Sequence, residues 1–319
     1  MTEGGRTMRS TVRRENSGST LAAFLAARFP YHSMAEWEAL ALGGALLVNG
    51  APAPPGLALG ENDVVLYSPA GAAEPAVDRA VTVLYEDSDI LVVGKSGNLP
   101  AHPAGRYFRN TLWGVLKDDL GVREPSIINR LDRETSGVTL VARHPAAARA
   151  CRRQFDERGV TKTYLAVTEG EFAAPARVRG YMGPCPGSAI RKKRRFEPSG
   201  ETAPAPGREA QWADTELFPV ERRGALTLVR ALPHTGRLHQ IRATLLALGS
   251  PVAGDKLYGL DEGVFLRFVQ GLLTPADAAL MRLGRQALHA AELTFLHPAD
   301  GRPMTVAAPL PADLLGLLG

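Results

Sequence analysis

A stretch rich in Pro, Ala and Gly divides this chain unequally and limits what it can fold into. Residues 68–78 read SPAGAAEPAVD, with neither helical nor strand periodicity and no Lys or Arg, a composition typical of a linker. A chain of 319 residues is long enough for one small and one larger domain. We therefore predict a small domain at residues 18–70, a linker at 71–79 and a larger domain at 80–319.

The segment before the small domain is polar and basic. Residues 1–17 contain Gly and four arginines but no apolar stretch, so they are predicted to form a disordered basic arm. Within the small domain, residues 21–29 have apolar side chains at helical spacing, and Ser33 and Glu36 have the spacing of a helix capping box. The Asn49–Gly50 pair indicates a hairpin turn.

The larger domain alternates strand and helix patterns without the regular rhythm of βαβ units. Residues 81–95 read as a hairpin, and residues 180–215, rich in Pro, Gly and charge, as an irregular excursion. Strands are predicted at residues 136–143, 161–170 and 224–232, and helices at 145–158 and 236–249. The predicted fold class is α+β: a mixed, largely antiparallel sheet with flanking helices, preceded by a small α+β domain.

Composition argues against several classes of protein. No apolar run is long enough to cross a membrane. Cys151 and Cys185 form no CxxC pair, which argues against a cysteine-based zinc site and for a reducing compartment, so we expect a cytoplasmic protein. His234 and His239 lie too far apart for the i, i+4 pair of a helical metal site. We expect no metal, no membrane contact and no obligate protein partner, and we predict a monomer.

Positive charge is concentrated in one short run. The net charge is only +4, which is weak evidence for a nucleic-acid partner. Segments that contain Pro and Gly flank a run of five basic residues: Arg191, Lys192, Lys193, Arg194 and Arg195. The run fits either a solvated mobile loop or a loop that contacts nucleic-acid phosphates, and we favour the second interpretation.

The most informative string is INRLDRETSGVTLVAR, at residues 128–143. It places Arg130, Asp132 and Arg133 on a turn just before a predicted strand, where the following Thr-Ser-Gly can hold the carboxylate rigidly. On physical grounds alone, Asp132 fits a surface or capping residue as well as it fits a functional carboxylate.

A second string, PHTGRLHQIR, occupies residues 233–242. Arg242 borders a helical face that is predicted to be buried and that consists of Leu238, Ile241, Leu245 and Leu248. A guanidinium at the edge of a core needs a carboxylate partner because an unpaired buried charge is costly, and Asp132 is a candidate. The alternative is a surface arginine that lies along apolar neighbours, and the spacing alone does not decide between them.

Together these strings resemble the RluA-type pseudouridine synthase family over roughly residues 80–310. The catalytic segment of that family is similar to NRLDRETSG, and a later segment is similar to TGRLHQIR. Four more segments match in family order: KSGNLPAHP, KTYLAV, GDKLYG and RQALHAAELTFLHP. Each segment is moderately specific, and the ordered set is highly specific.

The resemblance implies roles for individual residues. Asp132 matches the essential carboxylate, and Arg242 matches the basic residue that pairs with it. Tyr164 matches the aromatic residue that packs against the target base and helps to remove the proton from C5. Arg130 matches the arginine that fills the gap left by the flipped nucleotide. Further RNA contacts are expected from Arg133, Lys162, Arg237 and the basic run 191–195.

The implied reaction is the isomerisation of uridine to pseudouridine in RNA, with no cofactor because nothing is oxidised, reduced or transferred to another molecule. The base leaves the RNA stack, its bond to the sugar breaks, and it rebonds through C5. Asp132 would either attack C1′ or take a proton from C2′ as a general base, and the sequence leaves both routes open. Ribosomal RNA is favoured slightly over transfer RNA as the substrate.

The chain departs from the family pattern at two places. Asn129 stands where the family often has His, and an amide can replace the imidazole as a hydrogen-bond donor. The small domain resembles the RNA-binding domain appended to many of these synthases, yet between residues 19 and 68 its only Lys or Arg is Arg28. It either binds RNA or packs passively while the arm at residues 1–17 contacts the phosphates.

Two other functions compete with this interpretation. An RNA-binding protein that has lost catalysis is disfavoured because Asp132, Tyr164 and Arg242 are all present. A glycosidase acting on RNA or nucleosides would usually need two carboxylates in one site. Glu134 is the only nearby second candidate, and its place in a turn makes it a poor one.

Overall fold

The computed structural model describes residues 8–29, 32–67, 74–200, 207 and 209–319. The chain forms two compact units: one is Met1–Pro75 with Ala104–Phe108, and the other is Ala76–Pro103 with Arg109–Gly319. No helix in these ranges is both long and apolar enough to cross a membrane. The start of the predicted arm (residues 1–7) and of the predicted linker (residues 71–73) lies outside the described residues.

The small unit combines a four-stranded antiparallel sheet with two helices and a 3-10 turn at Arg14–Asn16. Its elements are β1 (Met8–Thr11), α1 (Leu21–Arg28), α2 (Met34–Leu42), β2 (Leu46–Val48), β3 (Ala51–Pro52) and β4 (Val64–Tyr67). The strand order is β1-β4-β2-β3. The predicted capping box is present: the Ser33 hydroxyl accepts from the Glu36 N–H at 3.2 Å, and the Glu36 carboxylate accepts from the Ser33 N–H at 2.7 Å. Asn49 and Gly50 both have positive φ, as the predicted turn requires.

Aromatic packing holds the core of the small unit together. Trp37 is fully buried, and its ring lies edge-on to those of His32 and Tyr67, with centroids 4.8 and 5.1 Å apart. Leu21 and Leu25 from α1 pack into the same cluster. Burying each of these large apolar side chains stabilises the unit by roughly 1.5–3 kcal/mol.

The prediction of a disordered arm is wrong for residues 8–17. β1 pairs along its whole length with β4, and Ser10 and Val12 are buried. The alternation of buried and exposed positions is that of a strand with one face on a core, and this pairing overrides the polar composition. Three of the four arginines assigned to the arm are consequently exposed on the small unit: Arg9, Arg13 and Arg14.

The large unit is built on an 11-stranded sheet. Its strands are β5 (Val81–Glu86), β6 (Ile90–Lys95), β7 (Ser126–Ile127), β8 (Ser136–Ala142), β9 (Thr161–Glu169), β10 (Ala176–Pro184), β11 (Arg194–Pro198), β12 (Gln211–Arg223), β13 (Leu226–Pro233), β14 (Leu288–Leu296) and β15 (Pro303–Ala307). The order is β11-β10-β12-β13-β9-β14-β8-β6-β5, with β15 beside β14 and β7 beside β8. Among the described residues, only the β8–β14 pair is parallel. The sheet is therefore mixed and largely antiparallel, as predicted.

The helices of the large unit are α3 (Leu112–Asp118), α4 (Pro145–Asp156), α5 (Gln240–Ala247), α6 (Gly263–Gln270), α7 (Pro275–Met281) and α8 (Ala312–Leu315). α5 follows β13 and packs into the largest core cluster through Ile241 and Leu245. The other two members of the predicted α5 face are not buried: Leu238, which precedes the helix, is 54% exposed and Leu248 is 38% exposed. α5 therefore begins later than predicted.

The predicted irregular excursion at residues 180–215 is also wrong. β10 runs into this segment, β11 lies within it, and β12 begins before it ends. β11 pairs with β10, and Phe196 is 4% exposed in the core beneath it. Arg195 and Glu197 lie on the opposite face of the strand and pair with each other, so composition concealed a short strand that buries one aromatic ring.

One glycine permits the parallel contact at the centre of the sheet. Gly137 in β8 has a φ of 116°, and a Cβ there would lie 2.1 Å from the carbonyl oxygen of Ala290 in β14. Any larger residue would force the two strands apart. Gly137 thus allows the turn before β8 to lie directly beside the start of β14.

Candidate active site

The large unit contains a cleft of about 110 Å³ that opens to the surface. All three residues predicted to carry the chemistry line it: Asp132, Tyr164 and Arg242. Asp132 lies in the turn before β8, Tyr164 in β9, and Arg242 in α5. β8 and β9 both neighbour β14, and α5 follows β13, so the sheet order brings these distant segments together.

The turn that carries Asp132 is held through its backbone. The carbonyl of Asp132 accepts a hydrogen bond from the Thr135 N–H at 3.1 Å, which closes the turn. The carbonyl of Arg133 accepts from the Leu99 N–H at 3.0 Å and from Lys95 Nζ at 3.1 Å. Lys95 is buried, and burial lowers its pKa to about 7. A buried amine therefore connects the turn to the segment after β6.

Two more cations hold the residue at the centre of this turn. The carboxylate of Glu134 accepts from Lys256 Nζ at 3.0 and 2.9 Å, and its carbonyl accepts from Arg285 Nη1 at 3.1 Å. The Lys256 side chain is 5% exposed and that of Glu134 is 13% exposed, so the pair is largely shielded from water. These contacts fix the turn on both sides. Such rigidity is needed if the carboxylate of Asp132 is to meet one particular substrate atom.

Arg242 binds two carboxylates with different edges of its guanidinium. Its Nη1 donates to Asp132 Oδ2 at 2.7 Å, so the predicted pairing is present. Its Nε and Nη2 donate to Asp255 at 2.6 and 2.8 Å. The Arg242 side chain is 7% exposed and that of Asp255 is fully buried. Asp255 thus neutralises the buried guanidinium of Arg242 and orients one of its N–H groups towards Asp132.

Asp132 is an ionised carboxylate at neutral pH. Burial opposes its ionisation, but the positive charge of Arg242 and the hydrogen bond from that guanidinium outweigh burial and lower its pKa below the usual range. Gln286 Nε2 lies 3.4 Å from the same oxygen, Oδ2. Among the described residues, none donates a hydrogen bond to Oδ1, and His239 Nε2 lies 3.9 Å from it. Oδ1 is therefore the oxygen most available to a substrate.

Tyr164 forms part of the wall of the cleft. Burial raises the pKa of its hydroxyl, and the negative charge of Asp132 adds to the increase. The side chain is thus a neutral phenol at neutral pH. It offers an aromatic surface to a bound base and one hydroxyl that can accept a proton only if it passes its own proton on.

His239 lines the cleft, and its backbone has the left-handed conformation, with a φ of 61°. Its Nδ1 lies 2.9 Å from the Tyr258 hydroxyl, and burial lowers its pKa to about 4. The ring is consequently uncharged at neutral pH, and its contact with Asp132 is not an ion pair.

Three of the predicted RNA contacts also line the cleft: Arg130, Lys162 and Arg237. Arg130 is exposed. Lys162 Nζ donates to the carbonyl of Thr235 at 3.2 Å, and burial lowers its pKa to about 8. Arg237 Nε donates to the carbonyl of Trp212 at 2.9 Å. The mouth of the cleft is therefore basic, which suits an approaching phosphate chain.

The other predicted RNA contacts do not line the cleft. Arg133 donates to Glu134 at 2.7 Å. Three residues of the basic run already face carboxylates: Lys193 lies 2.6 Å from Glu262, Arg194 lies 3.8 Å from Glu209, and Arg195 pairs with Glu197. Arg191 and Lys192 are exposed, and Lys192 lies over the ring of Phe265 at 4.3 Å.

Two residues that touch the Asp132–Arg242 pair were not predicted from the sequence. Asp255 and Gln286 lie in segments that resemble the family, GDKLYG and RQALHAAELTFLHP, but nothing in their spacing connected them to Asp132. Gln286 also donates to the Thr135 hydroxyl at 2.5 Å. A buried Asp directly after Gly in a turn was the available signal for Asp255.

One group of potential metal ligands lies elsewhere in the large unit. Asp87, Asp89 and His297 place a ligand atom each within 4.8 Å of one another. Asp87 is already occupied: its carboxylate accepts from His297 at 2.7 Å, from the Tyr85 hydroxyl at 2.8 Å and from two backbone N–H groups. None of these residues lines the cleft.

Comparison with known proteins places this geometry in a family. Residues 89–247 match the family model described as RNA pseudouridylate synthase. A protein named uncharacterized RNA pseudouridine synthase from Chlorobaculum parvum is 33% identical over 85% of this chain and 84% of its own length. The ribosomal large subunit pseudouridine synthase D of Xanthomonas campestris is 34% identical over 95% of this chain and 88% of its own.

A third relative, ribosomal large subunit pseudouridine synthase C of Escherichia coli, is 34% identical over 74% of this chain and 68% of its own length. Among solved structures, human RNA pseudouridylate synthase domain containing 1 superposes with a TM-score of 0.58 at 27% identity, covering 76% of this chain and 90% of that one. The chain belongs to the RNA pseudouridylate synthase family and is an isomerase that acts on RNA.

Proposed function

We propose that this isomerase modifies uridines of ribosomal RNA and that Asp132 is its catalytic carboxylate. The observation that carries the proposal is the ionised Asp132, bound by the buried Arg242 in a cleft that Tyr164 also lines. The choice of ribosomal RNA rests on relatives named ribosomal large subunit pseudouridine synthases.

The reaction needs an anion beside the sugar. The N1–C1′ bond of the flipped uridine breaks, the base turns, and a C5–C1′ bond forms. The C5 proton then leaves and N1 gains a proton, so no atom is gained or lost overall. Asp132 Oδ1 either attacks C1′, giving a covalent sugar ester that the base later displaces, or removes a proton from C2′ and later returns it.

An isotope experiment separates these two routes. RNA that carries deuterium at C2′ of the target uridine should react several-fold more slowly if proton removal from C2′ limits the rate. It should react at an unchanged rate, with an adduct to Asp132 that can be trapped, if attack at C1′ is the route.

Tyr164 is assigned two tasks. Its ring packs against the base, and its hydroxyl takes the C5 proton while it passes its own proton to the carboxylate of Asp132, which then releases that proton to water. A relay of this kind is required because the raised pKa keeps the phenol neutral, and a neutral phenol does not remove a proton unaided.

The cations at the mouth of the cleft are assigned to the RNA. Arg130, which is exposed, fills the space that the flipped nucleotide leaves, and Lys162 and Arg237 contact its phosphates. In the basic run, Arg191 and Lys192 are the best placed to bind phosphate, because the remaining three residues face carboxylates. We also propose that the protein acts as a monomer in the cytoplasm.

Neither Glu134 nor Asp255 is placed to act as the second carboxylate that a glycosidase would usually need. Glu134 is bound to Lys256 and Arg133 and does not line the cleft, and Asp255 is buried against Arg242. One assay tests the proposal: purified protein is incubated with unmodified ribosomal RNA and, separately, with unmodified transfer RNA, and pseudouridine and free uracil are quantified in both. We expect pseudouridine without uracil. Uracil release would identify a glycosidase, and modification of transfer RNA alone would contradict the proposed substrate.

A further inference from the structure

A second, larger concavity of about 420 Å³ lies on the large unit away from the residues of the catalytic cleft. α3 and α4 contribute to its wall, together with the segment 123–126. Its cations are Lys117, Arg123, Arg149 and Arg152, and its one carboxylate is Glu124. We call it the α3–α4 groove.

The cations of the α3–α4 groove are exposed and not neutralised. In the part of the chain that the structure describes, none of the four lies in a salt bridge with a carboxylate, and Arg152 donates only to the Ser126 hydroxyl, at 3.0 Å. Lys117 lies over the ring of Trp113 at 4.7 Å, which orients its ammonium without cancelling the charge. In the basic run at residues 191–195, by contrast, three of the five positive charges already face carboxylates.

The N-terminus of α4 adds to the positive electrostatic potential of the α3–α4 groove. His144 caps this 12-residue helix, accepting from the Ala147 N–H at 3.3 Å, and Pro145 occupies its first turn. His144, Pro145 and Ala148 all line the α3–α4 groove, so the positive end of the helix dipole lies beside the four cations. A helix end and clustered arginines together form a surface suited to phosphate groups.

The α3–α4 groove and the catalytic cleft lie within reach of one RNA. Ser126 lines the groove and Asp132 lines the cleft. A chain segment spans at most ~3.3–3.6 Å per residue, so this short connection places the two residues within roughly 20 Å of each other. A ribose-phosphate chain spans such a distance in several nucleotides, so an RNA with its uridine in the cleft is long enough to extend to the groove.

We propose that the α3–α4 groove binds backbone phosphates of the substrate RNA away from the target nucleotide. The inference rests on the proposed function, because it takes its ligand from the reaction in the cleft. It assigns the groove the task of holding and orienting long RNA rather than reading bases, since four of its five charged side chains are exposed cations, which bind phosphates irrespective of the base sequence.

The test measures how RNA affinity depends on salt. Each neutralised phosphate contributes roughly 0.7–0.9 to the slope of log affinity against log salt. The triple variant Lys117→Gln, Arg149→Gln, Arg152→Gln should therefore flatten the slope for a long ribosomal RNA fragment by about two units. The matched control is Arg222→Gln, Arg223→Gln, Arg302→Gln, which removes the same charge from exposed arginines paired with Glu171, Glu221 and Asp300. It should change the slope by less than one unit.

Failure of the inference about the groove and failure of the proposed function give different results. If the triple variant and the control flatten the slope equally, the groove does not bind phosphate and the inference is overturned, whatever the enzyme does. If wild-type protein forms no pseudouridine in the RNA, the proposed function fails first. Thermal melting checks that the triple variant is folded, and the double variant Arg149→Gln, Arg152→Gln on α4 should give an intermediate slope. A double variant with the wild-type slope would also count against the groove.

Discussion

Asp255 binds Arg242 through Nε and Nη2, at 2.6 and 2.8 Å, and so leaves Nη1 of the same guanidinium directed at Asp132. Asp255 is itself fixed, because its Oδ1 accepts from the N–H groups of Leu257 and Tyr258 at 2.9 Å each. The carboxylate of Asp132, which we propose to be catalytic, is thus positioned by a chain of two ion pairs that ends in backbone N–H groups.

Asp255 is a positioning residue, since it acts on Asp132 only through Arg242. Asp255→Asn loses the bidentate pair, so the guanidinium is no longer held in one orientation. We expect kcat to fall on the order of 10²-fold with KM little changed, because the RNA contacts remain. The matched control is Asp261→Asn, which removes another carboxylate bound to an arginine, Arg267, outside the cleft. A wild-type kcat in Asp255→Asn would contradict the positioning role.

Removing Arg242 should affect activity and stability together. Arg242→Ala leaves Asp132 and Asp255 without their shared cation, which should cost about 3–5 kcal/mol in the free energy of unfolding. The pKa of Asp132 should rise because the charge that lowers it is gone, so any residual activity should require a higher pH. Arg242→Lys should keep partial activity, since an ammonium retains the charge but not the planar fork. Urea unfolding and pH–rate profiles measure both effects, and full activity in Arg242→Ala would disprove the pairing role.

The hydroxyl of Tyr164 should matter at the final proton transfer. Tyr164→Phe keeps the aromatic ring but removes the relay, so the rate should fall by roughly 10²–10⁴-fold, the usual contribution of general acid–base catalysis. The comparison uses substrate with deuterium at C5 of the target uridine. The variant should show a larger isotope effect than wild type because proton loss has become limiting. Wild-type turnover in Tyr164→Phe would show that only the ring is used.

His239 should make the fold less stable in acid. Its pKa is lowered from 6.5 to about 4 by burial, so the unfolded chain binds the proton more tightly than the native protein does. Its contribution to stability is complete above pH 6.5 and is lost as the pH falls towards 4, by at most about 3 kcal/mol. His239→Gln should flatten the dependence of unfolding free energy on pH within that window. His234→Gln, at an exposed histidine, is the control, and equal slopes in both variants would contradict the assignment.

Local sequence patterns predicted local structure well. The Ser33–Glu36 capping box and the Asn49–Gly50 turn are decided by neighbouring residues, and both are present. The segments 8–17 and 180–215 were mistaken because their strands depend on distant partners. β1 pairs with β4 across most of the small unit, and β11 is held by β10 and the single buried ring of Phe196. The amino-acid composition of a segment gives no information about pairing partners that are distant in the sequence.

The candidate site was predictable to a different extent. Asp132, Tyr164 and Arg242 were found by resemblance to a family, and spacing alone left Arg242 as either a paired or a surface residue. Its partner Asp255 needed the folded chain, because only the tertiary structure shows that one guanidinium serves two carboxylates. The α3–α4 groove was equally hidden, since its cations come from separate elements and form no run in the sequence.

Pseudouridine formation by Asp132→Asn shows whether the carboxylate of Asp132 is required for the reaction. Asn has nearly the shape of Asp but carries no charge, and Arg242 keeps Asp255 as a partner, so the variant should melt near wild type and still bind RNA. Asp156→Asn, at an exposed aspartate in α4, is the control for the same chemical change. We predict that Asp132→Asn forms no detectable pseudouridine in ribosomal RNA while the control is fully active. Activity of Asp132→Asn within about tenfold of wild type, roughly 1.4 kcal/mol of barrier, would contradict the catalytic role of Asp132.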